Sequence, residues 1–270
     1  MAEDAEEQPV FETSTGPVRV ITAASLFDGH DAAINVMRRL IQSSGAEVIH
    51  LGHDRSAKDV VDCAVQEDAH AVALTSYQGG HVEYFTYIRQ LLDEAGCEHV
   101  RIFGGGGGTI TPPEIRELHQ AGISKIYSPD DGRTMGLMGM IHHLMGIAGE
   151  VDLISDERMK DLDGPINAGD MAKVGLLLTL SESADEATFR QTLETCRSST
   201  DEVPVIGFTG TGGAGKSSLL DELMLRIQRD NPGKKVCLLC VDPTRKRTGG
   251  ALLGDRIRMN SLSNNDLYMR

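Results

Sequence analysis

Residues 18–41 read VRVITAASLFDGHDAAINVMRRLI, and this stretch decides the fold of the 270-residue chain. Val18–Ala23 is a run of apolar and β-branched residues, the pattern of a buried strand. A short loop follows and leads into Asp28-Gly29-His30-Asp31. Beyond it, Ala33, Val36, Met37, Leu40 and Ile41 recur at intervals of three and four, which is one apolar face of a helix. A strand, a loop and a helix in that order place His30 at the carboxyl end of a first strand. Open α/β sheets present their ligand-binding groups there. A neutral imidazole in that position can ligate a metal, with Asp28 accepting its other N–H and fixing the tautomer. An ordinary loop histidine is the alternative at this point.

Moving outward, the same alternation repeats. Strand-like runs lie at Glu47–Leu51, Ala71–Ser76, Val100–Phe103 and Lys125–Tyr127. Helical patterns span Ala32–Ser44, Ala57–Glu67, Val82–Ala95, Pro113–Ala121 and Thr134–Met145. Gly45, Gly96 and Gly122 fall where helices stop, and Ser56 falls where a helix starts. Five β–α repeats of this length predict a flavodoxin-like, doubly wound parallel sheet with helices on both faces. We assign residues 17–147 to this unit.

Composition narrows the partners. Lys and Arg total 26 against 40 Asp and Glu, a formal charge of −14. Such acidity argues against nucleic acid or an anionic membrane surface as the main partner. The five cysteines, Cys63, Cys97, Cys196, Cys237 and Cys240, make no disulfide framework. Residues 1–8 lack the basic and apolar segments of a signal peptide, and no apolar run approaches the ~20 residues of a membrane span. A cytoplasmic protein is expected.

Residues 148–200 read as a helical linker, with helical stretches around Met171–Leu180 and Ala184–Arg197. A second unit is assigned to 201–270. The expected strand Val203–Phe208 runs into Gly210-Thr211-Gly212-Gly213-Ala214-Gly215-Lys216-Ser217, and the helix Ser218–Asp230 and strand Lys235–Val241 follow. This G-x-x-x-x-G-K-S pattern between strand and helix is the phosphate loop of a P-loop NTPase. Backbone N–H groups of Gly212, Gly213, Ala214 and Gly215 wrap a phosphate, Lys216 reaches the β/γ-phosphates, and the Ser217 hydroxyl ligates Mg²⁺. Asp242, at the end of the next strand, and Asp255 are candidate Mg²⁺ partners. Arg258 is a candidate phosphate partner, with solvated loop charge as the alternative for it and for Asp255. Cys237 and Cys240 are three positions apart within one expected strand, so they cannot chelate one metal and read as core thiols.

In the first unit three loops converge on one rim of the sheet. They are Asp28–Asp31, Thr75-Ser76-Tyr77-Gln78-Gly79-Gly80-His81, and Gly104–Gly108 with Gly105 and Gly106 at its centre. Glycine-rich loops let a large ligand approach the backbone, and the Thr75 and Ser76 hydroxyls can bond its polar groups. Taken singly, each loop is also readable as a turn or a hinge. His81 is expected to cap or begin the following helix, and His142 and His143 to be surface or packing residues.

These residues resemble a known family. Asp28-Gly29-His30, Thr75-Ser76-Tyr77 and Gly104–Gly108 look like the D-x-H-x-x-G, S-x-L and G-G signatures of the base-off, His-on cobalamin-binding domains of acyl-CoA mutases. The phosphate loop, Val241-Asp242-Pro243-Thr244 and Thr248–Asp255 resemble the G-protein chaperones that service those enzymes. Both modules in this order are similar to the fused isobutyryl-CoA mutases. The resemblance covers most of residues 18–270.

The resemblance implies that His30 is the lower axial ligand of cobalt in adenosylcobalamin and that Asp28 tunes it. Thr75, Ser76, Gly105 and Gly106 would line the slot for the displaced nucleotide tail, while GTP and Mg²⁺ would occupy the phosphate loop with Ser217, Asp242 and Asp255. It implies a radical carbon-skeleton isomerisation of isobutyryl-CoA to n-butyryl-CoA, a GTPase that gates cofactor loading, and a homodimer at full length. Three positions depart from the signatures: Ala33 stands for the glycine of the first, and Thr75 and Tyr77 stand for serine and leucine of the second. The acyl-CoA-binding barrel, switch II and the guanine-reading motif are not encoded here. The chain therefore reads as the N-terminal part of a longer protein, expected to bind cobalamin without mutase turnover and with weak or no GTP hydrolysis. A cobalamin carrier or sensor joined to a P-loop NTPase is the alternative function. A response-regulator-like domain with Asp28 as phosphoacceptor is a further one, but it leaves the glycine loops without a purpose.

Overall fold

Arg19–Ser25 (β1) is buried along its whole length, as a strand covered on both faces must be. The computed structural model describes residues 11–167, 169–199, 202–241, 251–253, 255–263 and 266–270. Around β1 lie Glu47–Arg55 (β2), Ala71–Thr75 (β3), Arg101–Gly105 (β4) and Lys125–Tyr127 (β5), all parallel. Their order is β5-β4-β3-β1-β2, the doubly wound flavodoxin-like arrangement expected from the sequence. A short strand, Ala251–Leu253, adds to the free edge of β2.

Helices fill the crossovers: α1 Asp31–Ser43, α2 Ala57–Gln66, α3 His81–Glu94, α4 Pro112–Gln120 and α5 Pro129–Gly149. One face of the sheet packs Val60, Ala64, Phe85, Ile88 and Leu118 from α2, α3 and α4. The other packs Ile41 from α1 and Ile141 and Leu144 from α5 against Val20, Val48 and Phe103. Ser56 caps α2 through a reciprocal bond with Asp59, as its position suggested, and Ser128 caps α5 with Asp131 in the same way. The glycines expected at helix ends take left-handed φ of 92°, 71° and 90° at Gly45, Gly96 and Gly122. Each is followed by a 6→1 backbone bond such as Cys97 N to Leu92 O.

Several boundaries differ from expectation. β1 and β2 run further than the apolar periodicity indicated, to Ser25 and Arg55. α5 begins at Pro129 rather than near Thr134, because Ser128 and Pro129 form a start signal ahead of the apolar run, and it kinks at Gly136 (φ 67°). Between the units, Met171–Ser183 (α6) and Glu186–Cys196 (α7) match the two expected helical stretches and share an apolar cluster of Leu162, Leu176, Leu180 and Cys196.

In the second unit Lys216–Asp230 forms α8, and Val236–Leu238 pairs in parallel with Leu267–Met269. Residues 203–208 form no strand, contrary to the one expected there, and Val205 is 92% exposed. No neighbouring strand among the described residues covers this apolar run. Cys237 and Cys240 are correspondingly exposed rather than core thiols, and only Cys237 lies within a strand. Among the described residues, no helix is long and apolar enough to cross a membrane.

Candidate cobalamin and nucleotide sites

The β1–α1, β3–α3 and β4–α4 loops meet where the strand order reverses, at the carboxyl ends of β1 and β3. Asp28 lies at their centre and is fully buried. Its Oδ1 accepts the backbone N–H of His30 at 2.9 Å and pairs with His30 Nδ1 at 2.8 Å; its Oδ2 accepts the backbone N–H of Tyr77 at 2.7 Å. Burial pushes the Asp28 carboxyl up, but the Tyr77 and His30 donors outweigh it and hold the group below the ordinary carboxylate value. An ionised Asp28 makes Nδ1 the protonated nitrogen of His30 and leaves Nε2 with a free lone pair. The His30 side chain is 62% exposed, so that lone pair faces outward from the rim.

The neighbouring loops are pinned to the same centre. Ser25 Oγ bonds Ser76 Oγ at 3.0 Å, and Thr109 Oγ1 bonds the carbonyls of Gly106 and Ser76 at 2.7 and 3.1 Å. A Cβ on Gly106 would sit 2.1 Å from Ser76 O, so the two loops close on each other only because that residue is glycine. Tyr77, to which sequence reasoning gave no role, lays its ring 5.5 Å from the His30 ring and against Gly107. The sole sequence signal for it was its place in the S-x-L triplet. His81 begins α3 as expected, and its ring lies 3.3 Å from Glu114 of α4. His143 pairs with the Tyr127 hydroxyl at 2.9 Å, and His142 lies 5.8 Å from the Phe11 ring; both serve packing.

Beside His30, between α1, α5 and the ends of β3 and β4, opens a cavity of about 590 Å³. Ala33, Thr75, Tyr77, Gly105, Gly106, Phe103 and Met140 are among its lining residues, so the departure at Ala33 puts a methyl group on the slot wall. Ser76 lies behind the lining, hydrogen-bonded to Ser25. The Thr75 hydroxyl is buried without a hydrogen-bond partner, which is costly unless a ligand supplies one. An exposed imidazole nitrogen, an orphaned hydroxyl and a deep apolar slot together fit a large cofactor that brings its own metal. Among the described residues, no group of three or more His, Cys, Asp or Glu side chains could hold a bare metal ion.

The phosphate loop stands apart from this rim. Gly213 and Gly215 have left-handed φ of 78° and 83°, and Gly215 caps α8. Lys216 Nζ donates to the carbonyls of Gly210 and Thr211 at 2.9 and 3.0 Å, folding the loop around its own ammonium. Gly212, Ala214 and the half-exposed Ser217 complete the loop and the first turn of α8. Asp242 and the side chain of Asp255 lie outside the described residues. Arg258 is exposed at the end of the 3₁₀ turn Asp255–Arg258, and among the described residues no hydrogen bond joins it to the phosphate loop.

Comparison with known proteins gives each unit a family. Residues 18–130 match the B12 binding domain, and residues 174–270 match the methylmalonyl Co-A mutase-associated GTPase MeaB, a match that begins inside α6. A fused isobutyryl-CoA mutase of Geobacillus kaustophilus is 50% identical over 94% of this chain, and one of Cupriavidus metallidurans is 48% identical over 98%. The chain joins a B12 binding domain to a MeaB-type GTPase domain and is similar in sequence to the fused isobutyryl-CoA mutases. It spans 24% of the length of those relatives. The 2-hydroxyisobutanoyl-CoA mutase small subunit of Aquincola tertiaricarbonis is 34% identical, with 42% of this chain covering 82% of that protein. The similarity to the fused mutases runs through both units.

Proposed function

We propose that this chain supplies the cobalamin-holding and nucleotide-gating parts of an adenosylcobalamin-dependent isobutyryl-CoA mutase. The observation that carries the reading is the Asp28–His30 pair, with Nδ1 held by a buried carboxylate and the exposed ring beside Tyr77, a residue of the slot wall. In this reading His30 Nε2 would hold the cobalt of the cofactor, and Asp28 would set the orientation and basicity of the ring. The cavity would take the cofactor's tail, with the Thr75 hydroxyl offering it a hydrogen bond and the backbone at Gly105 and Gly106 allowing close approach. Ser76 acts from behind, fixing the β1 and β3 loops to each other. When bound, the cofactor supplies radical chemistry for moving the thioester carbonyl group between neighbouring carbons of the acyl chain.

The GTPase unit takes GTP at Gly212–Ser217. Lys216 would exchange its two loop carbonyls for phosphate oxygens, Ser217, Asp242 and Asp255 would hold Mg²⁺, and Arg258 would meet the phosphates. Binding of acyl-CoA and formation of a homodimer are assigned to the whole protein. Paired titrations test the reading. His30→Ala is expected to weaken adenosylcobalamin binding at least tenfold without changing binding of a fluorescent GTP analogue. Lys216→Ala is expected to do the reverse. If either variant retains the affinity of the parent for its own ligand, that half of the reading is wrong.

A further inference from the structure

Phe27, immediately before Asp28, is anomalous in two ways. Its φ is 64°, a left-handed conformation that is a true outlier for a bulky residue. Its side chain is also 79% exposed, more than any other aromatic among the exposed large hydrophobic residues. The loop is not lax there. Phe27 N donates to Asp54 Oδ1 at 2.7 Å, and Asp54 is itself left-handed with φ 56°. The β1–β2 pairing shifts register over this same segment, so that Ser25 faces Arg55. Two strained residues from adjacent strand ends thus hold each other, and what they hold out is a phenyl ring in water. The next residue is fully buried and bonded to both the His30 and Tyr77 loops. Backbone strain of this kind persists where the surroundings over-determine it and where the displayed group has work to do.

We propose that Phe27 is a positioning residue for cobalamin, carrying one edge of the corrin macrocycle whose metal is ligated by His30. This rests on the reading of His30 as axial ligand. Phe27 and His30 are three positions apart, so their Cα atoms lie within about 11 Å of each other. A broad, largely hydrocarbon ring held by His30 would reach past it to the neighbouring residues of the loop. The Tyr77 ring lies 5.5 Å from the His30 ring, and the exposed Leu26 and Phe27 precede Asp28 in the same loop as His30. Leu26 is itself 38% exposed. The Asp54 latch keeps Phe27 from folding away in the free protein, so the ring meets a surface already in place.

Binding of cob(II)alamin to the 270-residue chain, with paramagnetic resonance spectra of the complexes, tests this. Phe27→Ala is expected to weaken binding about tenfold, while nitrogen coupling from the imidazole persists. Phe27→Gly is expected to melt at a higher temperature than Phe27→Ala in the free protein, because glycine accepts this φ, and yet to bind no better. Asp54→Ala should mimic the loss, and Asp54→Asn, which keeps the acceptor oxygen, should restore most of the affinity. Parent-like affinity in Phe27→Ala, with imidazole coupling intact in both, overturns the proposal alone. So does loss of the imidazole coupling in Phe27→Ala, which would make the residue a support of His30 rather than of the macrocycle. A parent chain without imidazole coupling overturns the His30 reading and this proposal together.

Discussion

At the scale of single residues, Asp28 has the most exacting duty. Its two oxygens take three donors, the His30 N–H, the His30 ring and the Tyr77 N–H, so both oxygens are engaged. Asparagine has the same shape but only one oxygen, so in Asp28→Asn an NH₂ group must face one of those donors. We expect about 10- to 100-fold weaker cobalamin binding, as for other supports of metal-ligating histidines. A spectroscopic titration measures it; unchanged affinity would mean that Asp28 does not tune His30. Gly106 is exacting for a steric reason. An added methyl would collide with Ser76 O and with Thr109 Oγ1, at 2.1 and 2.6 Å. Gly106→Ala should therefore cost about 1–3 kcal/mol in denaturant unfolding. A cost near zero would show that the β3 and β4 loops are not packed as described.

At the scale of elements, most of the cobalamin unit is readable from sequence because each repeat carries redundant signals. α2 has an apolar stripe, a Ser56 cap and an Asp59 partner, and each points to the same start. β1 was legible as a buried strand because no charged residue interrupts it except Arg19, whose charge is matched at the strand's beginning by Glu47 and Glu182. The convergence of the three loops followed from the topology, since parallel strands bring all their carboxyl ends to one rim. The left-handed Phe27 and Asp54 were not legible, because phenylalanine does not mark that conformation, aspartate marks it only weakly, and the bond joining them spans 27 positions. Nor was the shape of the slot, which depends on where α5 lies over β4. Periodicity also misled at residues 203–208 and at Cys237 and Cys240. An apolar run becomes a buried strand only when another strand pairs with it, and that partner is a tertiary fact.

At the scale of the whole molecule, buried charges tie the parts together at the end of the sheet opposite His30. Arg19 bonds Glu47 and Glu182, Arg270 reaches Glu182 and Thr179 of α6, and Arg256 pairs with Glu67 at 3.1 Å. Two histidines set the acid limit of this structure. Burial, reinforced by Arg38, depresses His50 to about 4, and burial with Arg19 depresses His70 to about 3. His70 Nδ1 must stay unprotonated to accept the Arg19 backbone N–H at 3.0 Å. Both folded values lie below the ordinary histidine value near 6.5, so the unfolded chain takes up protons first as pH falls. Their stabilising contribution is complete above about pH 6.5. It declines by up to about 1.4 kcal/mol per pH unit per histidine, towards pH 4 for His50 and pH 3 for His70. Melting temperatures should fall steadily between pH 6.5 and 4.5, before ordinary carboxylates titrate; a flat profile there would show that the two rings are not held neutral. The central claim is that His30 Nε2 ligates cobalt, and paramagnetic resonance of cob(II)alamin bound to chain carrying ¹⁵N-labelled histidine tests it most directly. The account predicts superhyperfine splitting that changes from the ¹⁴N to the ¹⁵N pattern on labelling and is absent in His30→Ala. A splitting indifferent to the histidine label, or one that survives in His30→Ala, would contradict it.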